Sequence, residues 1–313
     1  MSAAGRRALA FPSCGGRAAV LVEGSPDADA AVDAVRHDLA AWERRLTRFD
    51  PGSELSRLNA GGAERTRVSD LLCRFASAAV EAAVLTNGLV DPTLLEQIAG
   101  AGYGSGLGAP LPLALSLRLA PPRRPAGPDT DAGWRRITVD CERRIVSRPP
   151  GVGLDSGGIA KGLFADLAGA SLAAADSWAV DVCGDLSIGG RAGTPRPVRV
   201  DDPFGRGVLH EFEIAAGGVA TSGISRRSWL GPDGRVAHHL LDPATGRPAF
   251  TGIVQATALA PSALEAERLA KAALLEGPAG ARRWLPHGGV LVFDDGSHDV
   301  VAQPAAIAEA VAA

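Results

Sequence analysis

The sequence predicts an α+β fold, and three observations predict it. Helical and strand-like runs are mixed along the chain with no regular βαβ alternation, which favours α+β over a doubly wound sheet. The second and last helices carry clear terminal signals, so their existence does not rest on periodicity alone. Finally, 313 residues with 46% hydrophobic and 21% charged side chains can bury a core without disulfides or metals.

Arg17 to Glu23 reads as a strand, and Asp27 to Phe49 carries Val32, Val35, Leu39, Trp42 and Leu46 at helical spacing. A second helix spans Ser69 to Leu85 and stops at Asn87-Gly88, residues that accept the left-handed conformation of a C-terminal cap. From Gly100 to Gly133 the chain is rich in Gly, Pro and Leu. This is an irregular excursion, not a linker, because neither flank holds a complete core pattern; the whole of 1–313 reads as one domain. Ile137 to Val139 and Ile145-Val146 form a hairpin around a polar turn. A helix from Ile159 to Ala175 follows, then strands at Trp178 to Val182, Val198 to Val200, Glu211 to Ile214 and Ile253 to Leu259. The last helix, Ala263 to Glu276, begins with the capping pair Ser262 and Glu265 and ends at Gly277-Pro278. The strand Val290 to Phe293 follows it.

A formal charge of −3 leaves no basic surplus for a phosphate backbone, so no nucleic-acid partner is expected. The apolar stretch after Arg6-Arg7 is short and broken by Pro12, and no later run reaches eighteen apolar residues. Neither a signal segment nor membrane insertion is expected. Cys14, Cys73, Cys141 and Cys183 are far apart in sequence with no CxxC, which argues against a zinc site or a disulfide framework. The expected location is the cytoplasm.

Of 32 basic residues only Lys161 and Lys271 are lysines. Lys161 lies in Leu154-Asp-Ser-Gly-Gly-Ile-Ala-Lys-Gly162, two glycines ahead of a helix with the lysine in its first turn. Free backbone N–H groups there suit an anion such as a phosphate, and Asp155 as a plain N-cap is the alternative. Lys271 pairs at i,i+4 with Glu267, and a helical wheel sets both among Leu264, Leu274 and Leu275, away from Glu265, Arg268 and Glu276. That placement points to the rim of a site; an exposed surface pair is the alternative. In His239 to Gly246, a His and an Asp three apart could serve a general base, or Asp242 could shape the Pro-x-Thr-Gly turn. His238 and His239 are adjacent, so on a strand they would face opposite ways and could not easily share one metal. Gly102 to Gly108 has a dinucleotide-loop spacing but runs into Ala109-Pro110 where a helix should start.

Six strings in order resemble the ApbE family of FAD:protein FMN transferases. Phe11 to Gly16 is similar to its opening F-x-x-M-G-T, with Cys14 at the Met and Gly16 at the Thr position. FDPGSELSRLN (Phe49 to Asn59), GLVDPT (Gly88 to Thr93), LDSGGIAKG and VCGDL (Val182 to Leu186) follow, then TSG with HLLDPATGRP. The resemblance implies a T-fold-like α+β domain that binds FAD as substrate, moves its FMN half to a Thr hydroxyl of an acceptor FMN-binding protein or reductase, and releases AMP. It would place Cys14, Phe49, Leu89, Val90 and Asp91 at the FAD, together with Asp155, Gly157, Gly158, Lys161 and Leu240. His239 would be the base, with Lys161 and Asp242 beside it. The family metal positions are the Gly158 carbonyl, Glu267 and Lys271. Here the sequence departs from the family's A-D-x-x-x-T, reading Ala266-Glu267-Arg-Leu-Ala-Lys271. An ammonium cannot ligate Mg²⁺, so Lys271, anchored by Glu267, would stand in for the ion. Ser225 likewise stands where the family commonly has an aromatic residue. A FAD-binding homologue without transfer activity and a FAD pyrophosphatase are the alternative functions.

Overall fold

The computed structural model describes residues 5–104 and 108–304. Part of the glycine run weighed above, 105–107, lies outside the described residues. The frame is an eight-stranded sheet whose strands lie side by side in sequence order, every neighbouring pair antiparallel: β1 (Arg7–Ser13), β2 (Gly16–Glu23), β3 (Ser177–Val182), β4 (Asp185–Gly189), β5 (Gly217–Gly223), β6 (Ile253–Ala260), β7 (Gly289–Phe293) and β8 (His298–Val301). Five helices matter for the site: α1 (Ala28–Leu46), α2 (Glu54–Ala60), α3 (Asp70–Leu85), α4 (Ala160–Ser171) and α5 (Ala263–Glu276). α1 packs on β1 and β2, α4 on β3 and β4, and α5 on β5 and β6. The α+β expectation agrees with this arrangement.

Two hairpins close on two-residue turns of the same kind. Cys14 (φ 51°) and Gly15 (φ 69°) join β1 to β2, and Cys183 (φ 57°) and Gly184 (φ 97°) join β3 to β4. Left-handed pairs match the right-handed twist of the strands they connect. The inner face of β2 is Ala18, Val20 and Val22, paired with Val182, Val180 and Trp178 of β3. Against these residues α1 buries Val32, Val35, Leu39 and Leu46.

α3 starts where the Ser69 side chain accepts from Leu72 N and ends near Asn87 (φ 51°) and Gly88 (φ 85°). α5 starts where Ser262 Oγ accepts from Glu265 N and ends at Gly277, φ 79°. α4 is shorter than the expected Ile159 to Ala175. The excursion is not wholly irregular: Leu113–Leu119 is helical and buries Leu113. The segment beyond it is tied down by Arg124 N to Phe250 O and Ala126 N to Leu275 O. Smaller antiparallel sheets flank the frame, including Arg196–Asp201 with Val208–Ile214 and a three-stranded one that contains the expected hairpin around Asp140 to Arg144. All four cysteines are free thiols, although folding brings Cys141 Sγ to 2.6 Å from Cys73 Sγ.

The α4–α5 contact sets the site. A Cβ on Gly162 would lie 2.6 Å from the Ala263 carbonyl oxygen and 2.7 Å from Leu264 Cα. Only a glycine lets α4 approach the start of α5 this closely. Lys161 on one helix and Glu267 and Lys271 on the other thereby meet.

Candidate active site

Three of the strings singled out in the sequence do structural work around one cavity. In FDPGSELSRLN, Ser53 caps α2 by accepting from Ser56 N. The Glu54 carboxylate accepts from Ser69 N and Oγ at 2.6 and 2.7 Å, and Asn59 brackets Leu154 through its backbone N and O, both at 2.8 Å. In GLVDPT, Asp91 Oδ1 accepts from Thr93 N at 2.7 Å, and Pro92 O accepts from Asp155 N at 2.8 Å. In LDSGGIAKG, Asp155 accepts from Gly157 N at 3.2 Å and sits 3.2 Å from Arg48 Nε. Asp155 thus caps the short turn Ser156–Gly158 and not α4, whose N-cap is Ile159 with no side-chain bond, so the plain N-cap alternative for the Lys161 helix is not met.

The cavity has a volume of about 620 Å³. Its lining includes Cys14, Phe49, Leu89, Val90, Asp91 and Asp155. It also includes Gly157, Gly158, Lys161, His239, Leu240 and Lys271. Two residues named with these stand elsewhere. Glu267 lies behind the lysines, 1% exposed. Asp242 is outside the lining and shapes a turn: its carboxylate accepts from Gly127 N at 2.9 Å, Ala244 N at 3.2 Å and Thr245 Oγ1 at 2.8 Å. Its catalytic placement is thus corrected to the turn-forming alternative, because every one of these donors is local to the turn or to the excursion it pins.

At the cavity floor the two lysines join a chain of charges. Lys161 Nζ pairs with Asp185 and lies 3.6 Å from Glu267 Oε1. Lys271 Nζ lies 3.4 Å from that same oxygen and donates to the Gly158 carbonyl, with Gly157 O at 3.5 Å. Glu267 Oε2 accepts from Gly162 N at 2.9 Å. Lys271 is 7% exposed, which excludes the surface-pair reading. Burial disfavours the Lys161 ammonium, but Asp185 and Glu267 outweigh it and hold the pKa above the usual lysine value. Burial lowers Lys271, with Glu267 opposing, and raises Asp185 against the pull of Lys161.

The donor set does not fit Mg²⁺. The Gly158 carbonyl and both Glu267 oxygens, the expected ligands, are taken by two ammoniums and a backbone N–H. Mg²⁺ keeps several waters but still needs one or two carboxylate or carbonyl oxygens for itself, without an ammonium seated on the same atoms. Among the described residues no group of three or more His, Cys, Asp or Glu side chains is placed to hold a metal.

The two histidines diverge as their adjacency requires. His238 packs edge-on against Phe250, ring centroids 4.6 Å apart, while His239 lines the cavity. Its Nδ1 is buried without a hydrogen-bond partner. Burial first, then the charge of Arg227, holds its pKa well below the ordinary histidine value, so the ring is neutral and its lone pair is free. Burial pushes the Cys14 thiol up to about 12, which leaves it a contact group and not a nucleophile.

Sequence reasoning named Phe49 but missed Arg48, Tyr103 and Arg227, which line the same cavity. Tyr103, the chain's single tyrosine, stacks on Trp229 at 5.1 Å and 15° and meets Phe49 edge-on at 5.8 Å. The Arg48 guanidinium lies 4.4 Å from the Phe49 ring centroid and 4.7 Å from that of Tyr103. Arg227 donates to Tyr103 Oη at 3.0 Å and to the Cys14 carbonyl at 3.1 Å. The available signals were a lone tyrosine inside the glycine run and arginines beside two of the strings.

The profile of the ApbE family matches residues 16–293. The chain belongs to the ApbE family. A Treponema pallidum protein named FAD:protein FMN transferase is 32% identical to this ApbE chain over 155 residues, 45% of the chain and 42% of that relative. An Escherichia coli protein of the same name is 34% identical over 118 residues, 36% of the chain and 33% of the relative. The alignments thus span less than half of either relative's length. The crystal structure of the ApbE protein of Thermotoga maritima has a TM-score of 0.78 at 23% identity, covering 97% of this chain and 99% of that one, and it shares the fold. No helix among the described residues is long and apolar enough to cross a membrane.

Proposed function

We propose that this chain is a FAD:protein FMN transferase, using FAD as substrate and an FMN-binding protein or reductase with a target Thr as acceptor. The observation that carries the reading is one cavity whose lining brings together the buried Lys271 and half-buried Lys161 ammoniums, the His239 imidazole and the Tyr103 and Phe49 rings. Membership of the ApbE family supports it.

In this reading the Thr Oγ attacks the phosphorus of the FMN half. A new O–P bond forms as the bond to the bridging oxygen breaks, and AMP leaves with that electron pair. Lys161 and Lys271 draw negative charge from the pyrophosphate as it shifts toward the leaving oxygen. His239 takes the Thr proton. The incoming pyrophosphate would raise its pKa by offsetting Arg227 and the lysines, making it a better base once substrate is bound. The Tyr103, Phe49 and Arg48 wall offers flat π surface and a cation to an aromatic ring.

The test is incubation with FAD and a Thr-bearing FMN-binding domain, with mass spectrometry for covalent FMN and chromatography for AMP. The adduct and AMP should appear together, and His239→Ala should cut the rate about 10²- to 10⁴-fold while FAD still binds. FAD binding without adduct or AMP across acceptors would select the carrier reading, and AMP without adduct the pyrophosphatase.

A further inference from the structure

We propose that the Lys271 ammonium is a built-in cation of the cavity floor, so that this chain binds the pyrophosphate of its ligand without a divalent ion. The inference rests on the flavin-transferase reading for the identity of the ligand.

The geometry is that of a cation site with the cation covalently supplied. Two backbone carbonyls, of Gly157 and Gly158, and one carboxylate oxygen of Glu267 converge on Lys271 Nζ. These are hard oxygen donors, of the kind an ion would take. The carboxylate is itself held, since Glu267 Oε2 accepts from Gly162 N at the point where α4 crosses α5. An ammonium has three N–H donors. Glu267 and the Gly158 carbonyl occupy two, and the third meets only the Gly157 carbonyl at 3.5 Å, a long contact that a ligand oxygen would replace.

The signs are arranged in depth. Lys161 and Lys271 line the cavity, whereas the partners that neutralise them, Asp185 and Glu267, are 0% and 1% exposed. A ligand therefore meets the ammonium ends of two ion pairs whose carboxylates are buried. These are the chain's two lysines among 32 basic residues. An ammonium is a compact point charge with three donors, whereas a guanidinium is a broad planar fork. A divalent ion among the same oxygens would have to displace this ammonium and then sit beside it.

Calorimetry with ADP and with FAD, each in EDTA and in Mg²⁺, tests the idea. The dissociation constants in EDTA should lie within about twofold of those in Mg²⁺, and Lys271→Met should weaken binding in EDTA about tenfold or more, without rescue by Mg²⁺. Circular dichroism checks that the variant folds; if it does not, the EDTA comparison on the parent chain decides alone. Binding by the parent only when Mg²⁺ is present, or unchanged binding by folded Lys271→Met, overturns the inference. Metal-free binding without transfer to any acceptor would sink the transferase reading and leave this one standing. Failure of both probes in both buffers overturns both.

Discussion

Lys161 and Lys271 share one carboxylate: their Nζ atoms lie 3.6 and 3.4 Å from Oε1 of Glu267. The first prediction follows from that sharing. Glu267→Gln keeps an oxygen to accept from Gly162 N but removes the charge, leaving the buried Lys271 and half-buried Lys161 ammoniums with Asp185 alone. Removing one partner of a buried ionic group costs about 3–5 kcal/mol. The urea midpoint at neutral pH should fall accordingly, and an unchanged midpoint would show that the two cations do not need this carboxylate.

Tyr103 ties two other segments together, Arg48-Phe49 and Arg227 to Trp229. Tyr103→Ala should therefore loosen one wall of the cavity while leaving the buried core intact. FAD affinity, followed by flavin fluorescence, is expected to weaken about tenfold, or about 1.4 kcal/mol. Loss of folding in place of affinity would mean the wall is part of the core and not of the site.

How legible this was in the sequence depended on whether a signal was local. α1 was readable from its periodic apolar residues, and α3 and α5 from caps as well, because these signals lie within one segment. β5, Gly217–Gly223, was not, because its small residues answer to a distant neighbour: a Cβ on Gly218 would lie 2.2 Å from the Ala263 nitrogen. β1 was hidden by Pro12, which a strand at the sheet edge tolerates. The same division runs through the site. Lys161, Glu267 and Lys271 were found by rarity and by a helical wheel, both local. Arg48, Tyr103 and Arg227 converge from separate loops, and no periodicity records that. Asp242 was misassigned because a His-x-x-Asp spacing does not reveal whether the carboxylate faces the imidazole or its own turn.

His238 gives a pH-dependent prediction. Burial lowers its pKa from the ordinary value to about 3, with a backbone hydrogen bond opposing, and its Nε2 has no partner. Below about pH 6.5 the unfolded chain binds a proton on this ring that the folded chain does not. Stability from His238 is thus fully present above pH 6.5 and is lost as pH falls toward 3. Burial of Asp185 raises its pKa and acts in the opposite direction, so the term must be read as a difference between proteins. His238→Gln should flatten the stability profile between pH 6.5 and 4.5 relative to the parent, by up to about 1.4 kcal/mol per pH unit. Parallel profiles would show that the ring is protonated in the fold.

Gly162→Ala tests the contact on which the whole charge chain depends. The new methyl would meet backbone, the Ala263 carbonyl and Leu264 Cα, and backbone cannot rotate away as a side-chain end can. α4 and α5 must then separate, at a cost of about 1–3 kcal/mol for overpacking, partly offset because alanine favours a helix over glycine by about 1 kcal/mol. The separation also lengthens the Gly162 N to Glu267 bond and moves Lys161 away from the shared oxygen. Binding of ADP should therefore weaken by more than the loss of stability explains, which calorimetry at a temperature well below the variant's Tm can separate. A stabilised variant with unaltered ADP affinity would mean that the helices approach less closely than these contacts require.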